Sequence, residues 1–238
     1  MSRRYDCTGT EGREHSISAA VEAIRKGELV VLPTDTVYGI AADAFSPQAV
    51  TRLLAAKGRG RDMPVPVLIG SWRAARALTD DLSAEAEELI AAFWPGPLTL
   101  VVKQSNGLAW DLGDAHGTVA IRMPLHPVAL DLLAESGPLA VSSANRTGSP
   151  APTSADDAEA QLGVSVAVYL DAGATGGSLA STIIDVTGAR PQVLREGAVS
   201  QAQIDEVLAG EPGESSESSE PAEPSARDNA DATGGSDA

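Results

Sequence analysis

The hydrophobic and polar positions of this chain follow two spacings, one typical of helices and one typical of short buried strands. Apolar residues recur three or four positions apart in segments such as SISAAVEAIRKG, SPQAVTRLLAAKG and SQAQIDEVLAG, which begin near a capping serine and end at a glycine. Between such segments lie runs of branched apolar residues, such as ELVVLP, LTLVVKQ and STIIDVT. The pattern predicts about six helices interleaved with seven or eight strands, and therefore one α/β domain with a mixed sheet.

The two ends of the chain differ from this alternating region. Residues 1–15 are expected to form an N-terminal extension, because the first helix has candidate caps at Ser16 and Ser18. Residues 211–238 contain no Val, Ile, Leu, Met or aromatic residue. Such a segment cannot bury enough apolar area to offset the entropy of ordering, so the sequence predicts a disordered acidic tail. One folded domain is expected over residues 16–210.

The formal net charge of −16 is shared unequally between these parts. The tail holds eight acidic residues and one arginine, so it accounts for −7 and the first 210 residues for −9. A domain this acidic argues against non-specific binding to nucleic acid, which needs a basic face. The single cysteine, Cys7, excludes an internal disulfide, and no apolar run could span a bilayer. These features predict a soluble cytoplasmic protein that does not bind membranes.

Several common catalytic motifs are missing from the sequence. His15, His116 and His126 are isolated, and the HExxH and CxxC patterns of metal sites do not occur. There is no G-x-S-x-G elbow, no Walker A loop and no strand-linked G-x-G-x-x-G. The sequence therefore disfavours a hydrolase triad and the standard nucleotide cradles, and no metal site built from protein side chains is expected.

Positive charge nevertheless gathers in the stretch AAKGRGRDMPVP. Lys57 is the last residue of a predicted helix, where a cation complements the negative end of the helix dipole without any ligand. Arg59 and Arg61 follow Gly58 in a loop, and arginine can bind phosphate oxygens through two N–H groups. A phosphate-binding loop and a solvated basic loop are equally compatible with this pattern.

Polar residues also follow the predicted strand LVVL. In PTDTVYG, the alternation of Thr34, Thr36 and Tyr38 places their side chains on one face of an extended chain, with Asp35 and Val37 on the other. Hydroxyls at a strand end could orient a small polar ligand, or they could belong to an ordinary edge strand.

Two further stretches could contribute to a site. The loop AVSSANRTGSPAPT, which holds Ser143 and Asn145, could bind a nucleotide or could be ordinary turn chemistry. Arg122 in GTVAIRMP is predicted to be buried in a strand. A buried arginine needs a partner, so an anionic ligand or an acidic side chain must lie close to it.

Taken together, these stretches resemble a known family. PTDTVYG, AKGRGRDMPVPVLIGS, FWPGPLTLVV, VAIRMPLHPVAL, SSANRTGSP, STIIDVTG and VLREGAVS occur in an order that resembles the YrdC-type threonylcarbamoyl-AMP synthases, from about Ser16 to about Gly210. The resemblance implies a single YrdC-like catalytic domain over residues 16–210, with a twisted mixed β-sheet, flanking helices and a concave ligand cleft. It corresponds to a short form without the extra C-terminal domain of longer members.

The resemblance also implies a reaction. The family is a group of nucleotidyltransferases that combine L-threonine, bicarbonate and ATP into L-threonylcarbamoyladenylate and release pyrophosphate. The product would feed N6-threonylcarbamoyladenosine formation in tRNA through downstream threonylcarbamoyl transferase proteins, with weak or indirect tRNA binding. Mg²⁺ is expected to accompany ATP, held by ligand oxygens and water.

Site residues are carried over from the family signature K-x-R followed by S-x-N. It corresponds here to Lys57-Gly58-Arg59 and Ser143-Ala144-Asn145, so the implied catalytic residues are Lys57, Arg59, Ser143 and Asn145. The implied ATP-binding residues are Lys57, Arg59, Met63, Thr118, Ser143, Asn145 and Arg195. The implied threonine-binding residues are Thr36, Arg122 and Ser181, with Arg122 pairing the substrate carboxylate. Leu68 stands where many relatives carry a histidine.

Two other classes of function remain open from the sequence. An RNA-binding module would present basic stripes, against which the charge of −9 on the first 210 residues speaks. A relative that binds nucleotide but has changed or lost the adenylate chemistry, for example one that transfers a carbamoyl group to another acceptor, is disfavoured by the intact K-x-R and S-x-N.

Overall fold

Helices and strands alternate along much of the chain, as the sequence predicts, but the described residues form ten strands and seven α-helices, more than the seven or eight strands and about six helices expected. The structure is a computed structural model that describes residues 2–177 and 179–210. The strands are β1 (Arg3–Asp6), β2 (Val30–Leu32), β3 (Gly39–Asp43), β4 (Val67–Leu68), β5 (Leu98–Lys103), β6 (Thr118–Arg122), β7 (Leu139–Ser143), β8 (Val168–Asp171), β9 (Thr182–Asp185) and β10 (Gln192–Arg195). The α-helices are α1 (Arg13–Arg25), α2 (Pro47–Lys57), α3 (Trp72–Leu78), α4 (Ala84–Phe93), α5 (Pro127–Ser136), α6 (Ala155–Leu162) and α7 (Gln201–Ala209).

The strands of the described residues form one mixed sheet. Their order is β1-β8-β2-β3-β7-β4-β6-β5-β9-β10. The pairs β1/β8, β2/β8, β4/β6 and β5/β9 are parallel, and the other neighbours are antiparallel. The predicted fold class, a mixed β-sheet with flanking helices, is confirmed.

Helices cover both faces of this sheet, so its central strands are largely buried, whereas the edge strands β1 and β10 are largely exposed. Along β2, Val30 and Leu32 join a hydrophobic cluster with α1 and α5, whereas Val31 joins a cluster with α2, α4, α6 and α7. This split follows from the strand period of two, which sends successive side chains to opposite faces. None of the described helices has the length and hydropathy to cross a membrane.

The N-terminal segment, predicted to be an extension, forms part of the sheet and the start of the first helix. Arg3–Asp6 pair with β8 as an edge strand, and Cys7 after them is buried. The helix α1 begins at Arg13, so the prediction that Ser16 or Ser18 caps it is wrong. The hydroxyl of Ser16 instead donates to Gly12 O at 3.0 Å, inside the helix. The polar sequence RRYD carries no apolar run that would announce a strand. The predicted acidic tail, residues 211–238, lies outside the described residues.

The stretch PTDTVYG forms a turn between β2 and β3. Thr34 Oγ1 accepts from the amide of Thr36 at 3.2 Å and donates to Val37 O at 2.6 Å, which closes the chain on itself. The chain then returns as β3, antiparallel to β2. The prediction of an extended segment is therefore wrong, because these local side-chain hydrogen bonds favour the turn.

Strands β9 and β10 are held together by an unusually close backbone approach. Thr182 Oγ1 accepts from the amides of Gly197 at 2.9 Å and Val199 at 3.0 Å. The amide of Ala198 donates to Ala180 O at 3.0 Å. A Cβ atom at residue 197 would lie 2.7 Å from the carbonyl carbon and oxygen of Ser181 and closer still to Ala180 O. Only glycine fits at this crossing.

The substitution Gly197→Ala is expected to lower the free energy of unfolding by about 1–3 kcal/mol, because the added methyl group meets backbone that cannot rotate away. Urea unfolding of the two proteins measures the difference. Gly176→Ala is the matched control, since a Cβ there meets no atom within 4 Å, and its effect is expected to stay within about 1 kcal/mol. Equal urea midpoints for wild type and Gly197→Ala would contradict the close approach.

Candidate active site

A cleft of about 410 Å³ opens over the middle of the sheet, where β3 to β7 and β9 meet. Its walls combine apolar strand residues with hydroxyl and guanidinium groups. The predicted site residues that line it are Thr36, Arg59, Thr118, Arg122, Ser143, Ser181 and Arg195. Lys57, Met63 and Asn145 do not line the cleft.

Lys57 lies behind the wall of the cleft, where it holds the loop after β7. Its side chain is 3% exposed, and Nζ donates to the carbonyl oxygens of Ser143 and, at 2.8 Å, of Asn145. The amide of Thr147 donates back to Lys57 O at 2.9 Å. Burial, together with the neighbouring Arg59, lowers the pKa of Lys57 to about 8. The helix dipole alone, which accounts for a cation at this position, does not explain these buried contacts.

The local sequence around Lys57 determines where α2 ends. Ser46 caps the start of the helix by accepting from the amide of Ala49 at 3.3 Å, as the sequence predicts. At the other end Gly58 takes a left-handed conformation, with φ of 62°, and the amide of Arg59 donates to Leu54 O at 2.9 Å. This glycine-terminated end turns the chain so that Lys57 and Arg59 both approach the end of β7.

Arg59 reaches the cleft and is only partly satisfied there. Nη1 donates to Ser142 Oγ at 3.2 Å, whereas the buried Nε has no partner among the described residues. Burial lowers the pKa of Arg59, and the positive charge of Arg195 lowers it further, while Asp62 opposes the shift. A guanidinium held this way retains N–H groups for an anion.

The amide side chain of Asn145 organises its own loop. Nδ2 donates to Arg146 O at 2.9 Å and to Ser149 O at 2.7 Å. Its Oδ1 is buried without a partner in the described part of the chain. Asn145 thus closes the turn after β7, and turn chemistry is part of its role.

Arg122 has the acidic partner that its burial requires. It is 6% exposed, and its guanidinium donates from Nε to Gly96 O at 2.9 Å, from Nη1 to Thr36 Oγ1 at 3.1 Å and from Nη2 to Asp35 Oδ1 at 2.7 Å. Burial lowers the pKa of Arg122, and Asp35 opposes this shift. Asp35 and Thr36 therefore bind the same group, and the prediction that Asp35 faces away from Thr36 is wrong. Val37, predicted to face away as well, lines the cleft.

Ser181 connects two parts of the site. Its hydroxyl shares a hydrogen bond of 2.9 Å with the buried hydroxyl of Thr99. Its carbonyl oxygen accepts from Arg195 Nη2 at 2.7 Å and Nε at 3.2 Å. Arg195 thereby extends along the cleft from a fixed backbone point, and burial lowers its pKa.

The remaining predicted residues lie at the edge of the site. Thr118 lines the cleft, with its hydroxyl donating to Ala115 O at 2.7 Å. Met63 is 39% exposed in the loop before β4. Arg61 is exposed and pairs with Asp111 through two hydrogen bonds, at 2.6 and 3.0 Å, so it serves the outer loop and does not line the cleft.

Three residues of the site were missed by sequence reasoning. Asp35 was expected to face away, and neither Ser142 nor Thr99 was singled out. Ser142 is the first of two consecutive serines in β7, and either one could have faced Arg59. Thr99 and Val101 are two positions apart on β5, and both line the cleft. The strand period of two is therefore the signal that places Thr99 on the cleft face.

The site is cationic although the chain is acidic. Arg59, Arg122 and Arg195 line one cleft, and Lys57 lies directly behind it. Burial is the main cause that lowers the pKa of Arg59 and of Arg122, and the positive charge of Arg195 lowers both further. Repulsion between neighbouring cations is relieved when a polyanion binds. The arrangement can therefore hold a phosphate chain at one end and a carboxylate at Arg122.

Comparisons with known proteins show which family this chain is similar to. The profile of the Sua5/YciO/YrdC family, described as "Telomere recombination", matches residues 22–197. A Mycobacterium tuberculosis (strain CDC 1551 / Oshkosh) protein, named provisionally as a threonylcarbamoyl-AMP synthase, is 60% identical over 208 residues, which are 87% of this chain and 96% of that protein.

Two further matches come from Pyrococcus abyssi. The threonylcarbamoyl-AMP synthase of strain GE5 / Orsay is 40% identical over 196 residues, which are 82% of this chain but 58% of that protein. The crystal structure of Pyrococcus abyssi Sua5 complexed with L-threonine superposes with a TM-score of 0.83 at 37% identity and covers 87% of this chain and 61% of that one. This chain is thus similar to somewhat more than half of the longer protein.

The buried position of Lys57 leads to a prediction about pH. Folding lowers the pKa of Lys57 from 10.5 to about 8, so the unfolded chain binds more protons than the folded chain between these values. Stability attributable to Lys57 is therefore fully present above 10.5 and is lost as the pH falls through about 8. Relative to Lys57→Met, the wild type should gain free energy of unfolding between about pH 7 and about pH 9.5, as measured by urea unfolding.

Lys26→Met is the control for this measurement. Lys26 is exposed, and its hydrogen bond to Glu22 raises its pKa, so the contribution of that pair is constant over the same range. A difference between wild type and Lys57→Met that stays the same at both pH values would mean that Lys57 titrates like an exposed lysine.

Proposed function

The chain belongs to the Sua5/YciO/YrdC family, and on that premise we propose that it makes L-threonylcarbamoyladenylate from L-threonine, bicarbonate and ATP, with release of pyrophosphate. One observation carries the proposal most directly. A single cleft combines Arg59 and Arg195, which suit a phosphate chain, with Arg122, which suits a carboxylate. ATP supplies the phosphate chain and L-threonine supplies the carboxylate in this reaction.

The ATP end of the proposed site is the part of the cleft nearest the end of α2. Arg59, Thr118, Ser143 and Arg195 would contact the nucleotide from the cleft wall. Lys57 and Asn145 would act from behind this wall, because their side chains hold the end of β7, where Ser143 lies, and the loop that follows it. Met63 would contact the nucleotide from the outer loop.

The threonine end would be formed by Thr36, Arg122 and Ser181. Arg122 would pair with the substrate carboxylate, and the hydroxyls of Thr36 and Ser181 would receive the polar groups of the amino acid. Leu68, which is buried at the cleft, adds an apolar surface here. Such a small apolar contact suits the methyl group of threonine.

The chemistry requires little covalent work from the protein. The amine of threonine attacks the carbon of bicarbonate, whose hydroxyl leaves as water with a proton from the amine, and a carbamate forms. A carbamate oxygen then attacks the α-phosphorus of ATP. The bond from this phosphorus to the bridging oxygen breaks, and pyrophosphate leaves with the electron pair. Negative charge builds on the phosphoryl oxygens, and preorganised cations stabilise it. A site rich in arginine, lysine and hydroxyls, with no histidine in the cleft, fits such a step.

Mg²⁺ would enter this scheme with ATP. The described residues contain no cluster of three or more His, Cys, Asp or Glu side chains that could hold a metal ion. The hydroxyl and guanidinium groups of the cleft fit a nucleotide whose Mg²⁺ is held by phosphate oxygens and water. The ion would screen the phosphate charge, and the cleft arginines would orient the chain.

The product defines the partners. A mixed anhydride of a carbamate and AMP is reactive, so a downstream threonylcarbamoyl transferase would take it over for tRNA modification. We propose that tRNA contacts this chain weakly or indirectly, because its first 210 residues carry a formal charge of −9. The cytoplasm is the proposed location, and residues 211–238 would be a solubilising tail outside the catalytic domain.

Pyrophosphate release tests the reaction directly. The full chain with ATP, Mg²⁺ and bicarbonate is expected to release pyrophosphate only when L-threonine is present, and mass spectrometry should find threonylcarbamoyladenylate. Release that does not depend on threonine, or that requires another acceptor, would assign changed chemistry to this cleft. No release under any of these conditions would exclude the synthase function.

Arg59→Ala tests the phosphate end of the site. The variant is expected to lose about 2–4 kcal/mol of transition-state stabilisation, which is about a 30- to 1,000-fold lower kcat/KM for ATP, because one preorganised donor is removed. Arg61→Ala removes the same charge two positions along, from a side chain that pairs with Asp111 outside the cleft. Its kcat/KM should stay within about threefold of wild type. Similar losses in both variants would show that only the net charge of the loop matters.

A further inference from the structure

Asp35 pairs with Arg122 without being part of the cleft wall. The carboxylate Oδ1 accepts from Arg122 Nη2 at 2.7 Å and from the amide of Leu125 at 2.8 Å. The side chains of Asp35 and Arg122 are 12% and 7% exposed. Arg122 and Thr36 line the cleft, whereas Asp35 does not. The ion pair is therefore close to the site but lies behind the surface that a substrate would touch.

The three protein partners of Arg122 restrain its guanidinium completely. Each of its three nitrogens has one partner, namely Gly96 O for Nε, Thr36 Oγ1 for Nη1 and Asp35 Oδ1 for Nη2. The two terminal nitrogens each carry two hydrogens, so one N–H on each remains. A carboxylate that pairs with arginine in a bidentate way accepts two N–H groups, which is the number that Arg122 has left.

Of the three partners, only Asp35 supplies a negative charge. A buried guanidinium without a countercharge is strongly destabilised, and neither a carbonyl nor a hydroxyl oxygen replaces that charge. Asp35 itself gains little other bonding, since its buried Oδ2 has no partner among the described residues. The main effect of this carboxylate is therefore to supply the countercharge for Arg122.

We infer that Asp35 is a positioning residue for the amino-acid substrate. It compensates the charge of Arg122 and orients its guanidinium, so that the two remaining N–H groups meet the carboxylate of L-threonine. Asp35 acts through Arg122 and does not touch the substrate. The inference rests on the proposed function, because it assumes that the carboxylate ligand of Arg122 is L-threonine.

Calorimetric titration with L-threonine tests this role through binding, and a steady-state KM for ATP serves as the second readout. Asp35→Asn keeps the shape of the side chain and one acceptor oxygen but removes the charge. Its dissociation constant for L-threonine is expected to rise about tenfold, while the KM for ATP stays within about twofold. Asp111→Asn is the matched control, because it weakens an arginine–aspartate pair that is exposed and outside the cleft, and it should leave threonine binding unchanged.

A double-mutant cycle separates positioning from a merely structural role. In an Arg122→Lys background, Asp35→Asn should change threonine binding by less than about twofold, because the group through which Asp35 acts is gone. Additive losses in the double variant would instead assign Asp35 a structural role. Asp35→Glu serves if Asp35→Asn does not fold, since it keeps the charge but shifts the guanidinium, and it should raise the dissociation constant as well.

The outcomes distinguish the two proposals. If the wild type binds L-threonine and Asp35→Asn binds it as tightly or more tightly, the positioning role is overturned and the proposed function stands. If the wild type does not bind L-threonine, the proposed function and the role of Asp35 fall together. A rise in the KM for ATP equal to the rise for threonine would also contradict the inference, because it would mean a general disturbance of the cleft.

Discussion

The rest of the site depends on the hydrogen bonds that the side chain of Lys57 makes to the backbone at the end of β7. This side chain crosses from the end of α2 to the end of β7 and binds two carbonyl oxygens there, those of Ser143 and Asn145. The backbone of Lys57 accepts a third bond from Thr147 in return. The loop after β7 is consequently attached to α2, and the two halves of the signature, K-x-R and S-x-N, form one structural unit. Arg59 and Ser142, which contact each other at 3.2 Å, lie on the cleft side of this unit.

The cationic side chains of this site differ in how far they are exposed to solvent. Lys57 is buried with only carbonyl partners, Arg122 is buried with a carboxylate, and Arg59 and Arg195 are progressively more open to solvent. Because burial disfavours a charge unless it is paired, each position has a different use. The paired arginine is charge-compensated and fixed in one orientation, and the more open arginines also keep N–H groups for an incoming anion. A uniform patch of exposed lysines would attract the same ligand but would not orient it.

The sequence predicted the fold class and the order of most elements because their hydrophobic periods are clear. It missed β1 because the strand RRYD is polar and lies at an edge, where burial does not demand apolar residues. It also predicted an extended PTDTVYG where the structure has a turn, since side-chain hydrogen bonds of Thr34 decide the backbone there. Of the site, seven predicted residues share one cleft. Which residues stand behind its wall depends on packing across the sheet, and strand period alone does not determine that.

Ser181 links two groups of the cleft, because its hydroxyl and its carbonyl oxygen have different partners. Its hydroxyl, which we propose contacts L-threonine, shares a hydrogen bond with Thr99, and its carbonyl oxygen accepts from Arg195, which we propose contacts ATP. The backbone here is fixed by Gly197 and Thr182, because residue 197 after β10 lies too close to the backbone just before β9 to carry a side chain. A shift of this segment would therefore move at once the Ser181 hydroxyl and the Arg195 guanidinium, which lie 3.3 Å apart in the cleft wall. The amino acid and the nucleotide must meet at a single bond between a carbamate oxygen and a phosphorus, and a shared backbone point is a direct way to keep their binding groups in register.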